Sequence, residues 1–120
     1  MRSHILGRNG EGFAARFLSA NGYTILETNY RASCGEIDIV AKDGDMLCFV
    51  EVKTRSGLQN DPFEAVGPRK QRVLALVARI YLAERYGTDE ITCRFDVLAV
   101  YEAQDGSLSG DLIKDAFYLQ

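Results

Sequence analysis

Asp38, Glu51 and Lys53 lie in one short stretch, GEIDIVAKDGDMLCFVEVKTR from Gly35 to Arg55, and have the types a divalent-cation site needs. Carboxylates supply the hard oxygen ligands that Mg²⁺ takes. A lysine beside them can orient or deprotonate an attacking water, or offset charge on a phosphate. The elements that must position these groups are two strands. Strand-like alternation flanks Lys42-Asp43-Gly44-Asp45, and Asp-Gly between such runs is the strongest short-range hairpin signal. Successive side chains of a strand point to opposite faces. The first strand is therefore predicted to carry Glu36 and Asp38 on one face, with Ile37 and Ile39 on the other. The second carries Glu51, Lys53 and Arg55 on one face, with Val50 and Val52 opposite. Charges are rare in otherwise apolar strands unless paired or metal-bound. The plainer reading is a solvated sheet face whose acids and lysine form cross-strand ion pairs. Cys48-Phe49-Val50, leading straight into Glu51, predicts a buried strand instead.

These residues also carry a resemblance. Asp38 followed by Glu51-Val52-Lys53 resembles the PD-(D/E)xK site of restriction-endonuclease-like nucleases. GEID, FVEVKTR and RFDV (Arg94 to Val97), in this order, resemble more closely the YraN family, small bacterial proteins regarded as endonucleases and similar in turn to archaeal Holliday-junction resolvases. The resemblance runs from about Gly7 to about Phe117, and Ile37 stands where the eponymous proline would. It implies a restriction-endonuclease-like α/β fold, a central mixed β-sheet flanked by α-helices, with residues 1–120 as a single domain. It further implies hydrolysis of DNA phosphodiester bonds, on linear or branched substrates, assisted by Mg²⁺ or Mn²⁺. Asp38 and Glu51 would be the metal ligands, and Lys53 would position the water. Arg8-Asn9-Gly10-Glu11 resembles the first-helix segment that brings a further acid to such sites, which assigns Glu11 as a third catalytic and metal-binding carboxylate. Lys70 falls where the family pattern has a lysine, in a role toward the substrate backbone. Resolvase-like relatives act as dimers, so the resemblance implies a homodimer.

Other candidates follow from position. Glu36 is either a supporting acid behind Asp38 or a cap on the sheet edge. Arg8, Arg31 and Arg55 are candidate phosphate contacts, and each reads equally well as a solvated arginine. Glu11, on position alone, is as well explained as an edge acid paired with Arg8. Arg94 and Asp96 share a face and are expected to pair with each other or with the hairpin's charges, a structural role for Asp96.

Composition narrows the classes. Apolar residues make up 47% and charged residues 26%, ordinary for a globular domain, and 120 residues suffice for one core. No apolar run is long enough to span a membrane, and the start lacks a signal-peptide core. Three cysteines without metal spacing suggest neither a disulfide framework nor zinc, and a reduced cytoplasm is the expected compartment. His4 is the only histidine, so HExxH sites are excluded and catalysis falls to carboxylates, lysine and metal. The net charge of −3 and the pI near 5.1 are not the footprint of a strong nucleic-acid binder. Catalytic acids contribute to that charge, and binding would use a local basic patch. Three further readings remain: a non-cutting nucleic-acid-binding module on the same fold, a two-carboxylate glycosidase with little need for Lys53, and an interaction domain with incidental surface acids.

The flanking elements complete the outline. A helix is predicted from Ser3 to Ala20, striped by Leu6, Gly10, Phe13, Ala14, Phe17 and Leu18 and stopped by Asn21-Gly22. A strand follows from Tyr23 to Tyr30, with Tyr23, Ile25 and Glu27 on one face, then a turn over Ala32 to Cys34. A polar loop from Ser56 to Asp61 is placed to close over the site, and Pro62 to Val66 reads as one helical turn. Gly67-Pro68 starts a helix that Tyr86-Gly87 ends, its apolar face built from Val73, Leu74, Leu76, Val77, Ile80 and Tyr81. Cys93 to Tyr101 reads as a strand, Ala103 to Gly110 as a polar turn, and Asp111 to Phe117 as a short closing segment.

Overall fold

The computed structural model describes the backbone of residues 4–56 and 66–117 and the side chains of residues 12–54 and 66–117. Its order is α1 (His4–Ala20), β1 (Tyr23–Ala32), β2 (Gly35–Asp43), β3 (Met46–Ser56), α2 (Pro68–Tyr86), β4 (Cys93–Glu102) and β5 (Leu108–Phe117). The strands form one mixed sheet in the order β1-β2-β3-β4-β5, antiparallel except for the parallel pair β3–β4. A parallel pair needs a long crossover, and α2 lies within it. No helix among the described residues is long and apolar enough to cross a membrane.

Each helix covers one face of the sheet. Ala14 and Leu18 of α1 are buried against Ile39, Ala41, Cys48, Val50, Val52, Leu98 and Val100. Leu74, Val77, Ala78, Tyr81 and Leu82 of α2 are buried against Ile37, Val40, Leu47, Phe49, Phe95 and Val97 on the other face. Each fully buried Leu or Phe stabilises such a core by about 1.5–3 kcal/mol relative to exposure. The predicted α2 stripe is right at Leu74, Val77 and Tyr81 but wrong at Leu76, which is 49% exposed; Ala75, Ala78 and Leu82 take the buried positions.

The punctuation residues act as their chemistry dictates. Gly22 and Gly44 have φ of 91° and 65°, left-handed values that a glycine tolerates without a Cβ clash. Asn21 caps α1 through its side-chain amide, which donates to the Phe17 carbonyl at 2.8 Å. Gly87 closes α2 with φ 74°, its N–H donating to the Ala83 carbonyl.

Three expectations change. The chain from Leu108 to Phe117 is a full fifth strand, paired with β4 from Glu102↔Leu108 to Phe95↔Phe117, where a short closing segment was expected. β1 extends through Ala32, and it changes face: the register shifts between Ile25 and Glu27, so Tyr23 and Ile25 pack toward α1 while Glu27 reaches Arg85 of α2. Ile37 and Ile39 do not share a face; Ile37 packs toward α2 and Ile39 toward α1. The parity switches at Asp38, where the register passes from Tyr30↔Ile37 to Thr28↔Ile39, opposite Asn29 with φ 55°. Irregularities of this kind re-aim side chains.

Candidate acidic site at the β2–β3 junction

The β2–β3 ladder runs from Asp43↔Met46 to Ile39↔Val50. One residue further, the Asp38 carboxylate takes the place of a backbone partner: the Val52 N–H donates to Asp38 Oδ2 at 2.7 Å. A carboxylate accepting a backbone N–H is a strong, short bond. It holds Asp38 against the peptide that joins Glu51 to Val52. The face switch at Asp38 therefore has a function in the geometry, since a strictly alternating strand would not direct this side chain along the sheet toward β3.

Glu51 follows the predicted alternation. Leu47 and Phe49 pack under α2 and Val50 and Val52 under α1, so Glu51 and Lys53 point to the α2 side. Asp38 is 6% and Glu51 3% exposed, which agrees with a buried strand and not with a solvated face or incidental surface acids. Burying carboxylates is costly unless cations or hydrogen bonds compensate. Among the described residues, two lysines contribute to this compensation at Glu51. Lys53 Nζ lies 3.4 Å and Lys70 Nζ 3.3 Å from the same oxygen, Glu51 Oε2. Lys70 stands in the first turn of α2, which begins at Pro68 after the extended Gly67. Its side chain is 42% exposed, so it spans from the buried acid to solvent.

The sequence-predicted residues divide as follows. Glu51, Lys53 and Lys70 come together, and Asp38 is bonded to the backbone of Val52, the next residue after Glu51. Glu36 instead pairs with Arg31 (Arg31 Nε to Glu36 Oε2, 2.9 Å), near the β1–β2 turn. Gly35 beside it is packed so closely that an added Cβ would lie 2.7 Å from Val73 Cγ1, which is the close approach to α2 that this glycine permits. Glu11 and Arg8 lie on α1 and Arg55 on β3, with side chains outside the described residues; the expected loop from Ser56 to Asp61 and the turn from Pro62 to Val66 also fall largely outside them.

Two hard carboxylates on adjacent strands are the donor type of a divalent cation of the Mg²⁺ class, which takes one or two carboxylates and completes its shell with water and phosphate, and the ammonium groups on Glu51 would have to yield to it. Among the described residues no group of three or more His, Cys, Asp or Glu side chains could hold a metal. The expected third ligand, Glu11, has its side chain outside the described residues.

A second charged centre lies on the α1 side. Asp96 on β4 is fully buried and accepts from Tyr23 Oη (2.6 Å), Arg94 Nε (2.9 Å) and Nη2 (3.0 Å), and the Asp115 N–H (2.8 Å). Arg94 Nη2 also donates to Asp43 Oδ2 at 2.8 Å, where Lys114 Nζ donates at 3.0 Å. Both predicted pairings of Arg94 thus occur together. The hydrogen bonds from Arg94 and Lys114 hold the Asp43 carboxyl below the usual carboxylate range. Burial, then the bond to Asp96, pushes the Tyr23 phenol up. Burial likewise raises the Cys48 thiol to about 12. The participation of Tyr23, Lys114 and the Asp115 backbone was not read from the sequence; Asp115 has φ 58° where the β4–β5 register shifts, and no motif marks that bulge.

Residues 10–100 match the family model described as uncharacterised protein family UPF0102. The chain belongs to UPF0102. It is 50% identical over 117 residues to a UPF0102 protein of Symbiobacterium thermophilum, covering 97% of this chain and 98% of that relative. It is 46% identical over 121 residues to a UPF0102 protein of Chlorobium chlorochromatii, with 96% and 92% covered. A third UPF0102 protein, from Desulforapulum autotrophicum, is 47% identical over 113 residues, with 93% and 92% covered. The UPF0102 match contains Glu11, Asp38, Glu51, Lys53 and Lys70, so the acidic site lies within the part of the chain that defines the family.

Proposed function

We propose that this UPF0102 protein is a metal-dependent nuclease that hydrolyses phosphodiester bonds in DNA, with Mg²⁺ or Mn²⁺ as cofactor. The observation that supports the reading is the bond from the Val52 N–H to Asp38, which holds a second buried carboxylate against the backbone of the residue next to Glu51. The resemblance to the YraN and PD-(D/E)xK nucleases supports it independently of geometry. A bound divalent cation would supply Lewis acidity to the phosphoryl oxygen and lower the pKa of an attacking water.

The chain's own residues account for the rest. Asp38, fixed by the Val52 N–H, and Glu51 offer the oxygen donors. Lys53 lies close enough to Glu51 to orient a water beside it, and its charge stabilises the negative charge that develops in the transition state. The Lys70 ammonium, on a side chain 42% exposed, would meet a substrate phosphate by exchanging it for Glu51. The net charge of −3 limits the phosphate contacts to a few local cations, so binding is weak and its salt dependence shallow, scaling with those few contacts.

The test is cleavage of labelled linear, flapped and four-way-junction DNA with Mn²⁺ or Mg²⁺. Cutting that stops with a chelator and is lost in folded Asp38→Asn, Glu51→Gln and Lys53→Met variants is the expected result. Binding without cutting, unchanged by these variants, would leave a non-catalytic nucleic-acid-binding module. Cutting that all three variants retain would remove the site from the reaction.

A further inference from the structure

We infer that the protein holds one unpaired nucleotide of its substrate in a cavity beside Lys70, and therefore selects DNA with a single-stranded, flapped or branched position over continuous duplex. The inference rests on the nuclease reading above. The cavity, of about 590 Å³, lies between the β1–β2 turn and the start of α2, lined by Cys34, Gly35, Glu36, Pro68, Lys70 and Val73 among others. That volume suits one small organic group. A stacked duplex cannot enter it; a base that is unpaired or turned out of the stack can.

The lining has the two characters a nucleotide presents. Val73, Pro68 and the Cys34 side chain form an apolar wall, and the bare Gly35 backbone is pressed onto Val73 at its floor. Base faces are apolar and of similar character for all four bases, so such a wall takes them without strong sequence preference. The polar part of the lining is Glu36, whose carboxylate is charge-balanced by Arg31 and can accept from an exocyclic amino group. Arg69 and Lys70 complete the rim at the amino end of α2, where the first-turn N–H groups and the helix dipole favour an anion.

Lys70 joins this cavity to the acidic site. It lines the cavity and its ammonium is 3.3 Å from Glu51 Oε2. A nucleotide seated there brings its phosphate to the same side chain that contacts the candidate catalytic acid. Position within the substrate is then set by the unpaired base, not by groove contacts. A protein with a net charge of −3 needs such a contact, since it has little general attraction for duplex.

Cys34 allows the cavity to be blocked without touching the acidic site. It is exposed, whereas Cys48 is buried and Cys93 half-buried. The experiment compares wild-type protein, protein alkylated with N-ethylmaleimide, the Cys34→Trp variant, and Cys34→Ser given the same maleimide treatment. Each is assayed for binding by fluorescence anisotropy and for Mn²⁺-dependent cleavage, on a flapped oligonucleotide and on the matching continuous duplex. The expected result is binding of the flapped form at least about tenfold tighter by wild type, the scale of one stacked base. Alkylation and Cys34→Trp should collapse that ratio toward one, while treated Cys34→Ser keeps the preference. Equal handling of both forms by wild type, or a preference that survives the blocked cavity, overturns the inference and leaves the nuclease reading standing. Failure of wild type to bind or cut either form overturns both.

Discussion

Among the described residues, two buried acidic centres sit on opposite faces of one sheet and are compensated in opposite ways. Asp96 is held by a phenol, a guanidinium and a backbone N–H, all at 2.6–3.0 Å, inside a network that ties β1, β2, β4 and β5 together. Glu51 is faced by two lysine ammonium groups at 3.3 and 3.4 Å, both on flexible stems that can swing to water. Short, directional bonds to rigid donors make a structural carboxylate. Longer contacts to mobile point charges keep a carboxylate ready to exchange its partners. The same functional group, buried in both places, is committed in one and held in reserve in the other.

The largest expected effect breaks the committed centre. Arg94→Ala leaves Asp96 buried without its cation and should lower unfolding free energy by about 3–5 kcal/mol, read from urea denaturation. Glu51→Gln should do the reverse. Its amide needs no counter-charge and its lysines can re-solvate, so stability should fall by less than in Arg94→Ala, while Mn²⁺-dependent cleavage falls about a hundredfold or more. Equal stability losses in the two variants would erase the distinction between the centres.

A smaller effect sharpens it. Lys70 occupies the outer side of Glu51 with a positive charge, so Lys70→Gln should tighten Mn²⁺ binding by several-fold, on the order of one relieved charge contact, and weaken DNA binding. Calorimetric titration of metal and anisotropy with DNA read the two halves; loosened metal binding would contradict the reserve role. The smallest effect is alkaline. Burial, then the bond to Glu84, pushes the Tyr30 phenol up to about 12, from an ordinary value of 10. The folded state therefore retains a proton that the unfolded chain releases, and this contribution is complete below pH 10 and is lost as pH rises toward 12. The Asp43 carboxyl, held low by Arg94, works in the other direction: its contribution is present above the ordinary carboxylate range and fades as pH falls below it. Tyr30→Phe should flatten the alkaline limb of a pH–stability profile and leave the acid limb in place.

Much of this was legible in the residues. The Asp-Gly hairpin, the burial of the strand through Glu51, the limits of α2 at Gly67-Pro68 and Gly87, and the Arg94–Asp96 pairing all follow from local chemistry that tertiary contacts do not override. The parts that were not legible share a cause. Alternation assumes an unbroken strand, and β1, β2 and β5 each break it, at Leu26, at Asn29 opposite Asp38, and at Asp115. The break at Asp38 matters most. Alternation pairs Asp38 with Glu36 on a shared face, whereas the switch sends Asp38 to the Val52 N–H and leaves Glu36 to Arg31. β5 was missed because Ser109, Asp111, Lys114 and Asp115 make an edge strand that reads as a polar turn, and such polarity is how edge strands avoid pairing with other chains.

The most direct test of the central claim is paramagnetic relaxation by Mn²⁺ in the isotope-labelled protein. The account predicts that amide signals from residues 36–38, 51–53 and 69–70 broaden first and together, and that Glu51→Gln suppresses this. Broadening centred on Asp43, Asp96 and Lys114, or none at substoichiometric and stoichiometric metal alike, would contradict the assignment of the Asp38–Glu51 pair as the cation site.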